Sequence, residues 1–294
     1  MKLLLYMALS LAISTLPLMA GPRGGEQSRL KKVVKRSYET RINAKVKINN
    51  GIVYIDKAVE PEIFNGEFIF TRRPPTVNYE VVGNEGQLTI RVAGKVSKVK
   101  DVHHDEDYEI DMDEVYENEC YINLSPDVPL DLKMDLGVTK GEMDLGGFRL
   151  NNLDLTTAVS SNIIEFSEPN PQPLEEFRVE NGVGKLQILN IGNSNFRYFS
   201  FEGGVGKYVL DFDGEYQHDA TGKIELGMGK LTLFLPRNIG VRLEVDKTFL
   251  SSFDIDKVYK EDDTYYNELW NSSKPQLDLH IESGIGKIEV QWIE

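Results

Sequence analysis

The stretch ENGVGKLQIL (residues 180–189) decides the fold of this chain, because its glycine–lysine pattern occurs four times. Related stretches, EGGVGKYVL, ELGMGKLTL and ESGIGKIEV, begin at Glu202, Glu225 and Glu282. A phosphate-binding loop would need G-x-x-x-x-G-K followed by Ser or Thr at the start of a helix. Here Leu, Tyr, Leu or Ile follows the lysine and opens a strand-like alternation. The pattern therefore predicts an architectural repeat and no nucleotide site.

The repeat has a period of 22 or 23 residues. Gly182, Gly204 and Gly227 give these two separations directly, and about 35 additional residues precede the last copy. The reference positions of the six predicted units are Gly137, Ser160, Gly182, Gly204, Gly227 and Gly284. A fixed period of this length is typical of solenoid proteins, in which each unit buries its apolar face only against its neighbours.

Each unit contains two segments with strand-like alternation. Apolar residues tend to fall four, six and eight positions after the reference residue, as at Leu231, Leu233 and Leu235, and a second alternating segment precedes each corner. A period of two indicates β-strands. We therefore predict an all-β protein whose C-terminal part is a β-solenoid of the right-handed, parallel β-helix type. It has about six coils and follows a smaller β region; a β-sandwich is the alternative.

The predicted corners also have a regular charge pattern. An acidic residue precedes the reference position by two, and a lysine follows it by three, in five units. The acidic residues are Asp135, Glu180, Glu202, Glu225 and Glu282, and the lysines are Lys140, Lys185, Lys207, Lys230 and Lys287. The unit of Ser160 lacks both and has Ala158 and Ile163 instead. We expect the acid and the lysine of one coil, such as Glu202 and Lys207, to face each other across the corner. We expect the corner glycines to permit positive φ and close backbone approach.

Residues 1–20, MKLLLYMALSLAISTLPLMA, have the pattern of a signal peptide. A basic residue precedes an apolar run from Leu3 to Leu16, and Ala20 is a small residue at the predicted cleavage site. An uncleaved anchor is the alternative, but the run is shorter than the ~20 apolar residues of a membrane span. We expect no transmembrane span in the mature chain. The sequence therefore predicts an exported protein in the periplasm, at the cell surface or outside the cell.

The net charge of -14 disfavours a nucleic-acid partner, since such proteins need a basic face. Residues 21–47 nevertheless carry nine Lys/Arg against two Glu. We interpret RLKKVVKR (residues 29–36) as a solvated arm before the first strand; contact with anionic lipid or cell-wall polymer is the alternative. The single cysteine, Cys120, alternates with Ile122 and Leu124, which predicts a buried residue and no intramolecular disulfide.

The acidic segment DVHHDEDYEIDMDEVYENE (Asp101–Glu119) is one candidate site. His103, His104, Asp105 and Asp107 offer ligands for a transition metal, and the carboxylate row offers ligands for calcium. Adjacent histidines point apart on a strand, however, and the spacing of a zinc site is absent. Because an acidic edge also protects a strand from aggregation, we favour that structural role.

The aromatic segment TYYNELW (Thr264–Trp270) is the other candidate. Its rings could stack on sugars or cap the core, and we favour capping. From the sequence we assign no catalytic, cofactor-binding or metal-ligating residue, and we predict that the protein uses no cofactor.

Residues 119–294 resemble the toast-rack domain of extracytoplasmic bacterial proteins. The resemblance rests on the repeated GVGK corners, on LTLFLPRNIGVRLEV (residues 231–245) and on an insertion at about residues 246–276. RINAKVKINNGIVYIDKAVE (residues 41–60) resembles the start of related adhesin-like β-strand-repeat families. The resemblance implies an adhesin-like β region over residues 21–118 and a toast-rack domain over residues 119–294. It also implies a link to cell-envelope stress.

These features together predict a non-enzymatic exported envelope protein. It would be a scaffold or an adhesion-like binding module for an unknown ligand, such as an envelope polymer, a glycan or another envelope protein. A polysaccharide-binding or polysaccharide-active protein built on the solenoid is the alternative, because fold alone does not decide function.

We expect the exported protein to begin at or near Gly21, because the small residue Ala20 ends the signal pattern. Mass spectrometry of periplasmic or secreted material measures the new N-terminus. Recovery of the chain with residues 1–20 attached, in the membrane fraction, would support the anchor instead.

Overall fold

The computed structural model describes residues 27–94, 118–255, 258–272 and 274–293, which form β-strands and one short 3-10 helix (Ile191–Ser194). The strands of the N-terminal part are β1 (Ser28–Lys35), β2 (Arg41–Lys57), β3 (Glu62–Phe70), β4 (Thr76–Val82), β5 (Glu85–Val92) and β6 (Asn118–Leu124). The long strands that follow are β7 (Leu130–Asp144), β8 (Leu150–Glu165), β9 (Leu174–Leu189), β10 (Phe196–Asp211) and β11 (Ala220–Pro236). The last are β12 (Gly240–Lys247), β13 (Ser251–Ile255), β14 (Tyr259–Glu261), β15 (Thr264–Tyr266) and β16 (Gln276–Ile293). Among all the residues that the structure describes, no helix has the length and apolar character needed to cross a bilayer.

A parallel ladder forms the centre of the single sheet that contains the described strands. It runs in the order β2, β7, β8, β9, β10, β11, β16 and β12, with each strand parallel to the next. Lys207, for example, pairs with Lys185 on one side and with Lys230 on the other. The repeat period is thus the distance along the chain between paired residues, and each repeat unit of the ladder is called a coil. The predicted all-β class is confirmed, whereas the β-solenoid of the right-handed, parallel β-helix type stays a prediction.

The glycine corner turns both halves of a long strand toward the same core. In β10, Phe199 and Phe201 are buried before the corner, whereas Tyr208 and Leu210 are buried after it. The buried residues are thus odd-numbered before the corner and even-numbered after it. In a regular strand, residues on one face are two apart, so all of them would be odd or all even. Gly204 accounts for the change, because the ladder passes over it without a pair. The corner acts as a β-bulge, and it keeps the apolar residues of both halves of the strand on the side of the core.

Two different constraints require the two glycines of a corner. At the first, a Cβ on Gly204 would lie 2.3 Å from the carbonyl oxygen of Gly182 in the next coil. At the second, Gly229 has a φ of 134°, and its Cβ would lie 1.9 Å from the carbonyl oxygen of Gly206. Close approach was therefore predicted correctly for both. Positive φ is found at the second glycines Gly184, Gly229 and Gly286, and not at Gly204 or Gly206.

The second unit has a different register from the predicted one. Ser160 pairs with the second glycine of the next coil, so Ala158 stands at the reference position. Thr156 and Ser161 consequently occupy the acid and lysine positions that we assigned to Ala158 and Ile163. The prediction was wrong by two residues because the two steps around this unit differ from the regular period. The inference that the unit lacks both charges remains correct.

The ladder contains more coils than the six predicted. β2 forms another, since Asn50 pairs with Val138 at the corner position. At one end, β5 and β6 pair with the two halves of β2; at the other, β12 and β13 pair with the two halves of β16. The predicted insertion at residues 246–276 thus includes the second half of a coil. Sequence comparison missed these coils because their corners lack the glycine–lysine pattern.

Antiparallel strands extend the sheet at both ends. β4 pairs with β5, β3 with β6 and β1 with β3, while β15 pairs with β12 and β14 with β15. The interpretation of RLKKVVKR (residues 29–36) as a solvated arm was wrong, since most of it forms β1. Its Leu30 and Val34 pack against the core, and Arg29 lies 2.5 Å from Glu67. Exposed cations on this edge strand hinder pairing with other molecules.

Aromatic side chains of neighbouring coils pack against one another inside the ladder. The ring centroid of Phe177 lies 5.5 Å from that of Phe166 and 5.0 Å from that of Phe199. The interplanar angles of 70° and 69° give the edge-to-face geometry that aromatic pairs prefer. Complete burial of each ring stabilises the fold by roughly 1.5–3 kcal/mol. One coil therefore provides the core surface for the next.

The last strand of the chain lies inside the ladder. β16 is parallel to β11 on one side and to β12 and β13 on the other. The chain reaches β12 and β13 before β16, so its C-terminal strand fills the position between them and β11.

We expect Gly229→Ala to destabilise the protein by several kcal/mol and Gly83→Ala by only about 1–3 kcal/mol. Both positions have positive φ, 134° and 66°, so both substitutions strain the backbone. A Cβ at Gly229 also meets the Gly206 carbonyl oxygen at 1.9 Å, whereas a Cβ at Gly83 meets nothing within 4 Å. Urea unfolding of the matched variants isolates the inter-coil contact. Equal losses would show that the corner tolerates a side chain.

Candidate functional site

The stacked corners arrange three columns of side chains in parallel on the surface. The acidic column is Glu180, Glu202, Glu225 and Glu282, and the lysine column is Lys185, Lys207, Lys230 and Lys287. Between them, the residues that follow the first glycines form the apolar ridge, which consists of Val183, Val205, Met228 and Ile285 and continues at Leu250 on the terminal coil. Paired residues of adjacent strands repeat at ~4.8 Å, so each column is nearly continuous.

The apolar ridge is the feature of the corner that sequence analysis missed. Its five side chains are between 42% and 51% exposed, and Phe249 beside Leu250 is almost fully exposed. A contiguous apolar surface on a soluble protein is typical of an interaction site, whereas isolated exposed apolar residues are common. The signal was present in the sequence as Val, Val, Met and Ile between the paired glycines.

The acidic column forms different ion pairs from those predicted. In the described part of the chain, neither Glu202 nor Lys207 takes part in an ion pair, so the expected contact across the corner was wrong. Lys223 Nζ instead lies 2.5 Å from Glu225 and 2.9 Å from Glu282. Lys223 and Glu225 are two residues apart on one face, and Glu282 is on the adjacent strand. These separations are shorter than the five residues that span the corner.

The lysine column follows the same rule on the other side of the corner. The Nζ atoms of Lys230 and Lys287 lie 2.6 and 2.5 Å from the two carboxylate oxygens of Glu289. The hydrogen bond from Lys230 is the main reason that the pKa of Glu289 is lowered. In the coils of β11 and β16, each column therefore has a counter-charge on its own side of the ridge.

An open cavity of about 650 Å³ lies on the terminal coil. Its aromatic lining is Tyr259, Tyr266 and Trp270, and its polar lining is Arg242, Glu261, Asp262, Thr264, Asn267, Glu268 and Asn271. The Tyr259 and Tyr266 rings stack, with centroids 5.7 Å apart and an interplanar angle of 19°. The residues of TYYNELW therefore have two different roles. Tyr265 is buried against Phe253 and caps the core, whereas Tyr266 and Trp270 face the cavity.

Hydrogen bonds fix the wall of this cavity. Arg242 donates to Asp278 twice, from Nε to Oδ1 at 2.8 Å and from Nη2 to Oδ2 at 2.5 Å, and these bonds raise the pKa of Arg242. The guanidinium carbon lies 5.4 Å from the ring centroid of Trp270, within cation–π distance. Asn267 accepts from the Val241 N–H at 3.0 Å and donates to a backbone carbonyl at 2.7 Å. The aromatic residues are therefore held on a strand of the ladder.

The other predicted sites have separate outcomes. His103, His104, Asp105 and Asp107 lie outside the described residues, as does the signal segment, so these interpretations stay predictions. Within the described ranges, no group of three His, Cys, Asp or Glu residues is arranged to hold a metal. Cys120 is buried, as predicted, and burial raises the pKa of its thiol to about 12.

Comparison with known proteins gives one family match. Residues 23–189 match the family model described as the N-terminal domain of toast_rack, DUF2154. No curated protein matches this chain. The matched range crosses residue 119, where sequence analysis placed a boundary. The division at that residue stays a prediction, and the parallel pairing of β2 with β7 joins the two sides in one sheet.

Solved structures of proposed adhesins are also similar to this chain. One, a proposed cell adhesion protein from Clostridium sporogenes, is 22% identical, with 91% of this chain and 100% of that chain covered and a TM-score of 0.47. A proposed adhesin from Bacteroides fragilis is 11% identical, with coverages of 90% and 97% and a TM-score of 0.36.

We expect a double-mutant cycle with Lys230→Gln and Glu289→Gln to be non-additive, because either change removes the same contact. A matched cycle with Glu202→Gln and Lys207→Gln should be additive. Urea unfolding at low salt, where surface charges are least screened, measures both cycles. Coupling of equal size in the second cycle would contradict this result and support the predicted ion pair between Glu202 and Lys207.

Proposed function

The chain belongs to the family of the toast_rack N-terminal domain, and from that membership we propose that it is an exported, non-enzymatic binding module of the bacterial envelope. The aromatic-lined cavity on the terminal coil is the observation that supports this function. Cavities that combine aromatic walls with a few fixed polar groups are typical of ligand sites. Export after cleavage near Ala20 would present the cavity outside the cytoplasm.

The ligand that this cavity fits best is a segment of an uncharged glycan. The aromatic faces of Tyr259 and Trp270 offer flat apolar contacts, and Glu261, Glu268 and Asn271 offer hydrogen-bonding groups for hydroxyls. Such a combination suits a sugar ring, which has an apolar face and a polar rim. The large aromatic rings lose little conformational entropy on binding, since each has only two side-chain torsions.

The charge of the cavity argues against an anionic polymer. Arg242 is neutralised by Asp278, whereas Glu261, Asp262 and Glu268 add negative charge to the lining. The net charge of -14 acts in the same direction over longer distances. Phosphate-bearing or carboxylated polymers would therefore be repelled, and neutral glycans would not.

The position of the cavity on the ladder supports binding at low entropic cost. Asn267, which accepts from Val241, and Arg242, which contacts the ring of Trp270, tie the aromatic segment to β12, and β12 itself pairs with β16 along eight residues. A site on a rigid support needs little ordering when the ligand arrives, and this raises its affinity. The competing function, a polysaccharide-active enzyme, would use the same cavity and is distinguished by the fate of the glycan.

We expect Tyr259→Ala and Trp270→Ala each to weaken binding of neutral oligosaccharides at least about tenfold, since each removes an aromatic contact surface. Calorimetric titration against a panel of neutral and anionic oligosaccharides of equal length measures this. Tyr38→Ala is the matched control, because Tyr38 is 67% exposed and lies outside the cavity. Equal losses in all three variants, or preference for anionic chains, would contradict the ligand assignment. Hydrolysis of an oligosaccharide by the unaltered protein would support the enzyme instead.

A further inference from the structure

The apolar ridge has oppositely charged columns on its two sides. In its central coils, Glu180 and Glu202 lie on one side, and Lys185 and Lys207 lie on the other. Among the described residues, none of these four forms an ion pair. The central ridge therefore presents an apolar strip with available negative charge along one flank and available positive charge along the other.

This pattern is complementary to itself in only one of two symmetric arrangements. When two ridges face each other about a two-fold axis parallel to them, left and right exchange, so each acidic column meets a lysine column. When the two-fold axis is perpendicular to the ridges, the columns keep their sides, and acid meets acid and lysine meets lysine. Homodimers with two-fold symmetry are the commonest oligomers, and like-charge contacts oppose an interface.

We propose that two copies of this chain associate through the apolar ridge, in parallel, with the acidic column of each against the lysine column of the other. The five exposed ridge residues extend over about 20 Å at the coil spacing. Such a contact is smaller than a standard stable interface, and the net charge of -14 on each copy opposes it, so the association is weak and concentration-dependent. This inference stands on the ridge alone and does not depend on the glycan cavity.

Sedimentation analysis of the purified chain over a wide concentration range tests the association. We expect a monomer–dimer equilibrium, and Val205→Asp should raise the dimer dissociation constant roughly tenfold or more by placing charge in the apolar strip. Val82→Asp is the matched control, because Val82 is 59% exposed on β4, far along the ladder from β10. A monomer at every concentration, or equal effects of the two substitutions, would overturn the proposal. Circular dichroism verifies that both variants are folded.

Charge exchange tests the role of the columns. The double variant Lys185→Glu/Lys207→Glu has carboxylates in both columns, so the acidic column of each copy faces carboxylates of the other. This variant should form a weaker dimer. Adding Glu180→Lys and Glu202→Lys to the same chain restores opposite columns with exchanged signs, so association should return. A fourfold variant that remains as weak as the twofold one would show that the columns do not meet.

Cross-linking tests the orientation. In the parallel dimer each ridge residue faces its own copy across the axis, so Val183→Cys and Met228→Cys should both form disulfide-linked dimers readily. In the antiparallel dimer only a residue at the two-fold axis faces itself, and no more than one of the two variants would cross-link. That result would overturn the parallel arrangement. Native Cys120 gives little background because it is buried and the pKa of its thiol is raised to about 12.

Discussion

The contact between backbone carbonyls and corner glycines is the constraint on which the rest of the structure depends. A Cβ at the second glycine of a corner would lie 1.9 Å from the carbonyl oxygen of the next coil at Gly229 and 1.8 Å at Gly286. Such an approach requires glycine on one of the two coils only, since a Cβ at Gly184 or at Gly141 would lie 2.0 Å from the carbonyl oxygen of Ser160 or of Val53. Because the corner is fixed in this way, every position before and after it is fixed in register as well.

In-register stacking places residues of the same kind above one another. Apolar residues gain packing contacts from this arrangement, whereas like charges repel and irregular positions lose their matching neighbour. The coil with Ala158 at its corner shows how an irregular position is accommodated. Asn181 donates to Thr157 at 2.5 Å and accepts from Tyr208 at 3.3 Å, so the side chain of Asn181 next to the altered corner is hydrogen-bonded inside the sheet. Buried polar groups of this kind are tolerated because they find partners.

The sequence was most informative where a local rule acts in every coil. Alternation and the glycine period predicted the strands and the buried positions of the glycine coils, from Gly137 to Gly227 and again at Gly284, but not the coil of β12 and β13 that lies between them in the chain. The coil of β2 escaped detection because Asn49 stands in place of the first glycine and Ile52 in place of the lysine. The slip at Ala158 escaped because the two irregular steps around it add up to the same total as two regular ones. The cavity joins Arg242 to Trp270 through pairing of β12 with β15, a contact that depends on the tertiary fold and leaves no pattern in the chain.

The order of strands in the ladder differs from their order along the chain, and this has a consequence for biosynthesis. The terminal coil of β12 and β13 leaves the ribosome before β16, yet β16 separates it from β11. Until β16 is synthesised, β11 and β12 each have an unpaired strand edge at the position that β16 will occupy. A chain that stops before β16 would therefore lack an internal strand of the sheet. Synthesis of β16 is thereby linked to closure of the sheet between β11 and the terminal coil.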